Sequence, residues 1–273
     1  MSGPLADYRE PNAWGVGARS YDRAMVPLTG PFAASLLDEL GVRAGSGGVR
    51  LLDVASGTGA LALEAARRGA SVYACDFAPG MVDVLRSHVS DAGLSVEVEM
   101  MDGQALSVAD GTFDVAASNF GLIFFPDRAR GLAELRRALR PGGRVGITCW
   151  DLGGWSLQRL LGAALDRALP ERVQPPPPAW AALGTPDGMR DALGQAGFAS
   201  VAVQRIVHHW PLEDPAGFFR AAPDGSPTLR LLFADLGEEL IELAASAFAE
   251  IVTELSTREG LPMSAFAGTG TRD

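Results

Sequence analysis

Short apolar runs alternate with amphipathic segments through the first half of the chain. The apolar runs predict buried β-strands at Val49–Ala55, Ala70–Asp76, Leu94–Met100, Phe113–Ser118 and Gly143–Trp150. The segments between them repeat apolar residues at helical spacing and predict helices at Ala60–Arg68, Pro79–Ser90 and Arg128–Leu139. Strands that alternate with helices indicate a parallel sheet covered by helices on both faces.

The pattern becomes less regular after Trp150. It predicts an amphipathic helix within Gly153–Leu169, an extended linker at Gln174–Pro178, a helix at Thr185–Ala196, a sixth strand at Val201–Trp210 and a last strand at Leu261–Gly268. Between the last two strands, Glu213–Gly260 is predicted to be mostly helical, with an apolar stripe of Leu236, Leu240, Leu243, Ala247 and Ile251. Such a stripe indicates helices that pack as a cap.

This pattern divides the chain into three parts. Residues 1–48 form a helical N-terminal segment, which we interpret as a lid. Residues 49–150 form the strand–helix core. Residues 151–273 complete the sheet and carry the helical cap, at about 211–260.

Composition and charge narrow the class of protein. The 273 residues are 47% hydrophobic and 21% charged, which is typical of a soluble globular protein. A net charge of −10 without a basic stripe argues against a nucleic-acid partner. No apolar run reaches the ~18 residues of a membrane span, and the N-terminus lacks the pattern of a secretory signal, so we expect a cytoplasmic protein without a membrane partner.

Cysteine and histidine are few. Cys75 and Cys149 each lie within or at the end of a predicted strand, which favours buried free thiols. The two cysteines and three histidines are scattered and do not have the spacing of metal ligands, so we predict no metal site.

The segment Leu51–Gly69 predicts a strand, a glycine-rich turn and a helix. Gly57 and Gly59 allow the backbone to turn tightly and to approach a ligand. The following helix begins with free N–H groups and the positive end of its dipole. This arrangement suits a nucleotide-like ligand, but Gly57, Gly59 and Ala62 also satisfy a dinucleotide-binding fingerprint.

Acidic residues lie at or just after the ends of three predicted strands, and two of them favour a methyl donor over a dinucleotide. Asp53 directly precedes the turn, where a carboxylate would repel a pyrophosphate but suits the ammonium group of a methionine moiety. Asp76 ends the second strand and can accept hydrogen bonds from both ribose hydroxyls, which fits either cofactor. Asp102 can accept from an adenine amino group, with Gly103 and Gln104 beside the ring, and this favours a methyl donor.

At these motifs the sequence resembles the class I (Rossmann-like) S-adenosylmethionine-dependent methyltransferases, especially the ubiquinone/menaquinone C-methyltransferase-like group. The matching segments are DVASGTG (Asp53–Gly59), CDFAPGM (Cys75–Met81), MDGQAL (Met101–Leu106), FDVAASNFGLIFFPD (Phe113–Asp127) and LRPGGRVGITCW (Leu139–Trp150). The resemblance covers roughly Tyr21–Val207. It implies an α/β fold with a mostly parallel seven-stranded sheet whose last strand is antiparallel. It also implies S-adenosyl-L-methionine as the cofactor, bound by the core at 49–150.

The resemblance further implies a set of cofactor-binding residues. Taken along the cofactor, they are Asp53, Ala55, Gly57 and Gly59 around the methionine part, Asp76, Phe77 and Met81 at the ribose and adenine, Asp102, Gly103 and Gln104 at the adenine edge, and Asn119 and Phe120 near the sulfonium. Tyr21 would close over the donor. The sequence departs from the family's first motif at Ala55, where a glycine is usual.

Methyl transfer from a sulfonium releases a neutral leaving group, so alignment and exclusion of water can supply much of the acceleration. Whether a base is needed depends on the acceptor. His208 and His209 are the candidate catalytic bases because histidine titrates near neutrality. Adjacent strand residues point to opposite faces, so at most one of them faces a given pocket.

The acceptor would bind among the irregular segments. Their aromatic residues suggest an apolar or aromatic small molecule of the natural-product kind, and these residues are Trp150, Trp155, Trp180, Trp210, Phe218 and Phe219. Phe218 and Phe219 are predicted to contact the acceptor from the cap, which also offers a face for a homodimer. The sequence leaves open whether carbon, nitrogen or oxygen is methylated.

Two alternative functions remain open at this point. A nicotinamide-dependent oxidoreductase is disfavoured by Asp53 and by Asp102–Gln104, and no Tyr-x-x-x-Lys pair exists because the chain contains no lysine. A non-catalytic protein that binds S-adenosylmethionine is the second alternative, because a fold does not by itself establish turnover.

Overall fold

The structure is a computed structural model that describes residues 9–173 and 177–273. Of the predicted linker Gln174–Pro178, residues 174–176 lie outside the described residues. In the described part of the chain, no helix is long and apolar enough to cross a membrane.

The strands of the described residues form one seven-stranded sheet. They are β1 (Arg50–Val54), β2 (Ser71–Asp76), β3 (Val96–Met100), β4 (Phe113–Asn119), β5 (Leu139–Trp150), β6 (Ala199–Trp210) and β7 (Leu261–Thr271). Their order is β3-β2-β1-β4-β5-β7-β6. Strands β1 to β5 pair in parallel, whereas β7 is antiparallel to both β5 and β6. The predicted Rossmann-like, mostly parallel sheet with an antiparallel last strand is confirmed.

The helices lie on both faces of this sheet and at its carboxyl edge. They are α1 (Pro11–Gly15), α2 (Ala18–Glu39), α3 (Ala60–Arg67), α4 (Pro79–Asp91), α5 (Arg128–Ala138), α6 (Leu157–Ala168), α7 (Pro186–Gln195), α8 (Pro215–Gly225), α9 (Pro227–Phe233) and α10 (Glu238–Leu255). Helices α5 to α9 each begin with a side chain that accepts a hydrogen bond from the backbone N–H three residues on, and these caps are Asp127, Ser156, Thr185, Asp214 and Ser226.

The central strands are buried on both faces. Leu51 and Leu52 are both fully buried, although adjacent residues of a strand point to opposite faces, so helices must cover β1 on either side. At the edge of the sheet, Glu97 and Glu99 of β3 are exposed. Polar side chains on an edge strand oppose pairing with another chain.

Helix α2 is long and has two functions along its length. Its C-terminal half packs on the sheet, where Leu40 lies so close to β5 that a Cβ on Gly146 would be 2.7 Å from its Cδ1. Its N-terminal half extends toward the glycine-rich turn, and the Tyr21 ring lies 3.8 Å from the Cβ position of Gly57. Pro27 and Pro31 lie inside this helix, which tertiary packing therefore maintains against its local preference.

Helices α8, α9 and α10 lie between β6 and β7, in the segment that we interpret as the cap. Phe219 is fully buried in the cap, with ring centroids 4.9 Å from Phe233 and 5.5 Å from Phe248. The apolar stripe predicted for α10 was partly wrong, because Leu243 is 53% exposed. The buried face instead contains Ala244, because α10 has apolar residues on several faces and periodicity alone selects the wrong one.

We expect Phe219→Ala to destabilise the protein by about 3–5 kcal/mol, because it leaves a cavity at the centre of the cap. Leu243→Ala is the matched control on the exposed face and should change the free energy of unfolding by less than about 0.5 kcal/mol. Urea denaturation of both variants measures the difference. Equal effects would contradict this packing arrangement.

Candidate functional site

Two adjoining cavities lie at the carboxyl ends of β1, β2, β3 and β4. The larger has a volume of about 820 Å³ and the smaller about 320 Å³, and we call them the large lobe and the small lobe. Four residues line both lobes, namely Tyr21, Ala55, Gly57 and Asn119, and we call this boundary the neck. The site therefore suits an elongated ligand with two chemically different ends.

Most of the residues predicted from the sequence line the large lobe. They are Tyr21, Ala55, Gly57, Asp76, Phe77, Met81, Asp102, Gly103, Gln104, Asn119 and Phe120. Asp53 lines the small lobe, together with Ser56 and Thr58. Gly59 lines neither lobe.

Gly59 has a structural function. Its φ is 102°, in the left-handed region that favours glycine, and it precedes the first residue of α3. A Cβ there would lie 2.3 Å from Cδ1 of Leu85, so the missing side chain allows α3 and α4 to pack closely. The predicted contact of Gly59 with the cofactor is therefore not supported.

Ala55 occupies the position where the family usually has glycine. Its φ is 57°, a left-handed conformation that costs a non-glycine residue about 1 kcal/mol. Its methyl group faces Gly121, where an added Cβ would lie only 2.5 Å away. The methyl group is accommodated because the residue opposite it has no side chain.

The small lobe contains polar side chains without partners. Both carboxylate oxygens of Asp53 are buried and have no hydrogen-bond partner, and the same holds for the hydroxyls of Ser56 and Thr58. Buried polar groups are nearly always paired in proteins, so this combination indicates a place for a polar ligand. A carboxylate beside free hydroxyls suits a group with both positive and negative charge.

In the protein without ligand, the ionised form of the Asp53 side chain is energetically unfavourable. Burial raises the pKa of Asp53 to about 7, and the negative charge of Asp76 adds to this effect. The backbone N–H of Ala62, in the first turn of α3, opposes it without forming a hydrogen bond of ordinary geometry. A cation in the small lobe would remove this cost.

Asp76 is fixed at the end of β2 by backbone donors. The N–H of Gly57 lies 2.8 Å from its Oδ2, and the N–H of Ala78 lies 2.9 Å from its Oδ1. Burial raises the pKa of Asp76 to about 6, while the N–H groups of Ala78, Gly57 and Phe77 act in the opposite direction. The carboxylate is thereby oriented into the large lobe beside the glycine-rich turn.

The lining of the large lobe also includes a polar group and an aromatic group of residues. The backbone N–H of Gln104 donates to Asp102 Oδ1 at 2.8 Å, and Gln104 Oε1 accepts from the N–H of Asp127 at 2.8 Å. Trp14 and Phe124 line the same lobe, with ring centroids 4.8 Å apart. An apolar slot with a carboxylate at its edge fits a purine base.

Sequence reasoning missed part of this lining. The missed residues are Arg9, Trp14, Met101, Gly121, Phe124, Phe125 and Pro126. Phe124 and Phe125 follow β4 at the same edge of the sheet as the predicted residues, so their position was a usable signal. Trp14 had no such signal, because only the packing of α1 on α4 brings it to the site.

The two candidate bases lie outside both lobes. His208 Nε2 lies 2.9 Å from Ser35 Oγ, and its ring contacts the edge of Phe32. Burial lowers the pKa of His208, and the nearby His209 adds to this effect. His209 Nδ1 lies 3.3 Å from Glu259 Oε2. Neither residue lines the two lobes, and because a base would act on the acceptor rather than on the methyl donor, their role as catalytic bases stays a prediction.

His88 connects the elements around the small lobe. From α4, its Nε2 lies 3.3 Å from Asp22 Oδ2 on α2, and its Nδ1 lies 3.1 Å from the carbonyl oxygen of Thr58. The N-terminal half of α2 is thereby attached to the glycine-rich turn.

Comparison with known proteins decides the family. Residues 52–147 match the methyltransferase domain family. Nocamycin O-methyltransferase of Saccharothrix syringae is 34% identical over 253 residues, which cover 86% of this chain and 87% of that protein. The chain belongs to the class I S-adenosylmethionine-dependent methyltransferases. It is therefore an enzyme that uses S-adenosylmethionine, and the oxidoreductase and non-catalytic alternatives are set aside.

Two further similarities of this methyltransferase agree with that assignment. Demethylmenaquinone methyltransferase of Thermus thermophilus is 44% identical over 98 residues, 35% of this chain and 44% of that protein. The fold is shared with phosphoethanolamine N-methyltransferase 2 of Haemonchus contortus, solved with S-adenosylhomocysteine, at a TM-score of 0.60 and 16% identity, covering 100% of this chain and 62% of that one.

The lining of the two lobes fits S-adenosylmethionine. We propose that the unpaired Asp53 carboxylate receives the ammonium group of the methionine part, that Asp76 receives the ribose hydroxyls, and that the slot between Asp102 and Trp14 receives the adenine. The sulfonium would then lie at the neck.

Asp76→Ala should weaken the binding of S-adenosylhomocysteine by about 2–4 kcal/mol, more than tenfold, since a charged hydrogen bond contributes about 1.5–3 kcal/mol. Asp83→Ala is the matched control, because it removes an exposed carboxylate from the adjacent helix α4. Isothermal titration calorimetry measures both affinities. Unchanged binding to a folded Asp76→Ala variant would remove this carboxylate from the site.

Donor affinity should increase with pH up to about 7 and then level off. In the free protein the pKa of Asp53 is raised to about 7, whereas a bound ammonium favours the ionised carboxylate, so binding below pH 7 releases a proton. Titrations with S-adenosylhomocysteine between about pH 5.5 and 8, in buffers of different ionisation enthalpy, measure both effects. The variant Asp53→Asn should bind more weakly and lose the dependence near pH 7. If its dependence near pH 7 is unchanged, the titrating group lies elsewhere.

Proposed function

We propose that this methyltransferase transfers the methyl group of S-adenosylmethionine to an apolar, ring-containing small molecule that binds beneath α2 and the cap. The observation that carries the proposal is the contact of the cap with the neck. A Cβ on Gly225, at the end of α8, would lie 2.9 Å from the backbone nitrogen of Tyr21. A Cβ on Gly17 would lie 2.3 Å from the carbonyl oxygen of Asp224. The cap and the lid therefore meet where the methyl group would be exposed.

A buried aromatic cluster adjoins the neck. The ring of Phe120 is stacked on Trp150, with centroids 4.1 Å apart. Phe32 on α2 meets both rings edge to face, at 5.5 and 5.7 Å. Phe120 is the member of this cluster that lines the large lobe, so an acceptor at the neck would meet an apolar ring, which supports an apolar acceptor. Of the six aromatic residues named from the sequence, Trp150 alone contacts a residue of the large lobe through a ring stack, whereas Phe219 belongs to the core of the cap.

The neck supplies orientation rather than proton transfer. Bound S-adenosylmethionine supplies an electrophilic methyl group. Burial, together with Asp76 and Asp22, raises the pKa of Tyr21 to about 12, so its phenol stays protonated and serves as a hydrogen-bond donor at neutral pH. The contribution of these residues would be to align the acceptor and exclude water.

The likeness to nocamycin O-methyltransferase supports an oxygen atom of a natural product as the methylated position. Homodimer formation through the cap, a cytoplasmic location and the absence of a nucleic-acid partner stay predictions.

The proposal is tested with S-adenosylmethionine that carries a labelled methyl group. The protein is incubated with a bacterial extract separated into macromolecules, polar metabolites and organic-extractable compounds below about 1 kDa. We expect the label in the organic-extractable fraction, in a product whose methyl group mass spectrometry assigns to oxygen. Label confined to macromolecules or polar metabolites would overturn the proposed acceptor class.

The same assay tests the contact between cap and neck. Gly225→Ala should displace Tyr21 and reduce labelling several-fold, because the new methyl group meets backbone rather than a flexible side chain. Gly162→Ala on α6 is the matched control, since its Cβ would meet no atom within 4 Å. Equal labelling by both variants would show that the contact between the cap and the neck does not contribute to methyl transfer.

A further inference from the structure

With S-adenosylmethionine placed as proposed above, the small lobe receives both charges of its amino-acid end. Asp53 accounts for the ammonium group, but a carboxylate also needs donors. None of the residues that line the small lobe is an arginine, a lysine or a histidine. The donors that face it are neutral, and they include the unpaired hydroxyls of Ser56 and Thr58.

We propose that the α-carboxylate of S-adenosylmethionine is held by neutral donors, the hydroxyls of Ser56 and Thr58 and the amide of Asn119, and that Thr148 sets the orientation of this amide. The inference rests on the donor being S-adenosylmethionine and does not depend on the acceptor class proposed above.

Thr148 lies on β5 directly beside the end of β4, in register with Asn119. Its Oγ1 is 2.8 Å from the backbone nitrogen of Phe120 and 2.8 Å from Oδ1 of Asn119. A threonine hydroxyl has one hydrogen and two acceptor lone pairs. It therefore accepts from Phe120 and donates its single hydrogen to Asn119.

These two hydrogen bonds define which end of the Asn119 amide faces the ligand. Because Oδ1 accepts from Thr148, Nδ2 is directed away from β5, and it lies 3.4 Å from the carbonyl oxygen of Thr29 on α2. Asn119 lines both lobes at the neck, so the amide presents N–H rather than C=O to the ligand. An N–H at this position matches a carboxylate.

Thr148 also holds the backbone beyond Asn119. Phe120 has a φ of 57°, in the left-handed region that a bulky residue rarely adopts. The hydrogen bond from its N–H to Thr148 and the stack of its ring on Trp150 maintain this conformation. Thr148 is 1% exposed and touches neither lobe, so it is a positioning residue.

Two ligands that differ in the amino-acid part separate a positioning role from a general structural one. S-adenosylhomocysteine has the carboxylate, whereas 5′-methylthioadenosine lacks the whole amino-acid end. We expect Thr148→Val to weaken S-adenosylhomocysteine binding about tenfold and to change 5′-methylthioadenosine binding less than twofold. Thr148→Ser keeps the hydroxyl and should restore the wild-type affinity for both ligands. Calorimetry measures six constants, one for each ligand with the wild type and with each variant, and wild-type binding of S-adenosylhomocysteine checks that the donor itself is correct.

Equal losses for the two ligands would assign Thr148 to the scaffold and overturn the proposal, as would unchanged binding of S-adenosylhomocysteine. If Thr148→Val does not fold, the double variant Ser56→Ala, Thr58→Val tests the neutral-donor part of the proposal, with the same selective loss expected. Suppose that the variants lose affinity for both ligands equally while the wild-type protein still labels an apolar acceptor. That result would overturn the inference about Thr148 but not the proposed function.

Discussion

A carboxylate that is buried without a hydrogen-bond partner is the main constraint on this structure. Asp53 lies in the central strand β1, between β2 and β4, where its backbone is paired on both sides and cannot move toward solvent. Burying such a charge costs several kcal/mol unless a partner is supplied. The sheet holds the carboxylate in place, and the partner is left to the ligand. The buried carboxylate lowers the stability of the folded protein, but its position is fixed before a ligand binds.

The parts of the site that are local in sequence could be predicted. Asp53, Asp76 and Asp102 each stand at the end of a parallel strand or just after it, and the carboxyl ends of such strands meet at one edge. Strand periodicity and a glycine-rich turn were therefore sufficient to bring them together. Ala55 shows the limit of motif reasoning, because its strained backbone is compatible with the fold only through the absence of a side chain at Gly121, 66 positions later.

Features that depend on packing between distant elements could not be predicted. Trp14 reaches the large lobe because α1 packs on α4, where a Cβ on Gly80 would lie 2.4 Å from the carbonyl oxygen of Gly15. Histidine is a plausible base by its chemistry, but whether His208 meets a ligand or Ser35 is decided by α2, which approaches from the other end of the chain. The same limitation explains the misassigned face of α10. This helix has apolar residues on several faces, and only contacts with other elements decide which face is buried.

The two cysteines have a consequence for an enzyme that handles an alkylating agent. Cys75 directly precedes Asp76 on β2, next to the proposed cofactor site, and both thiols are buried. Burial raises the pKa of Cys75 well above its usual range, reinforced by the charges of Asp76 and Asp53, and raises that of Cys149 to about 12. Thiolate is the nucleophilic form of cysteine, and it is suppressed at both positions. Since the chain also lacks lysine, it has no side-chain amine, and the same burial that builds its sheet suppresses both of its thiolates.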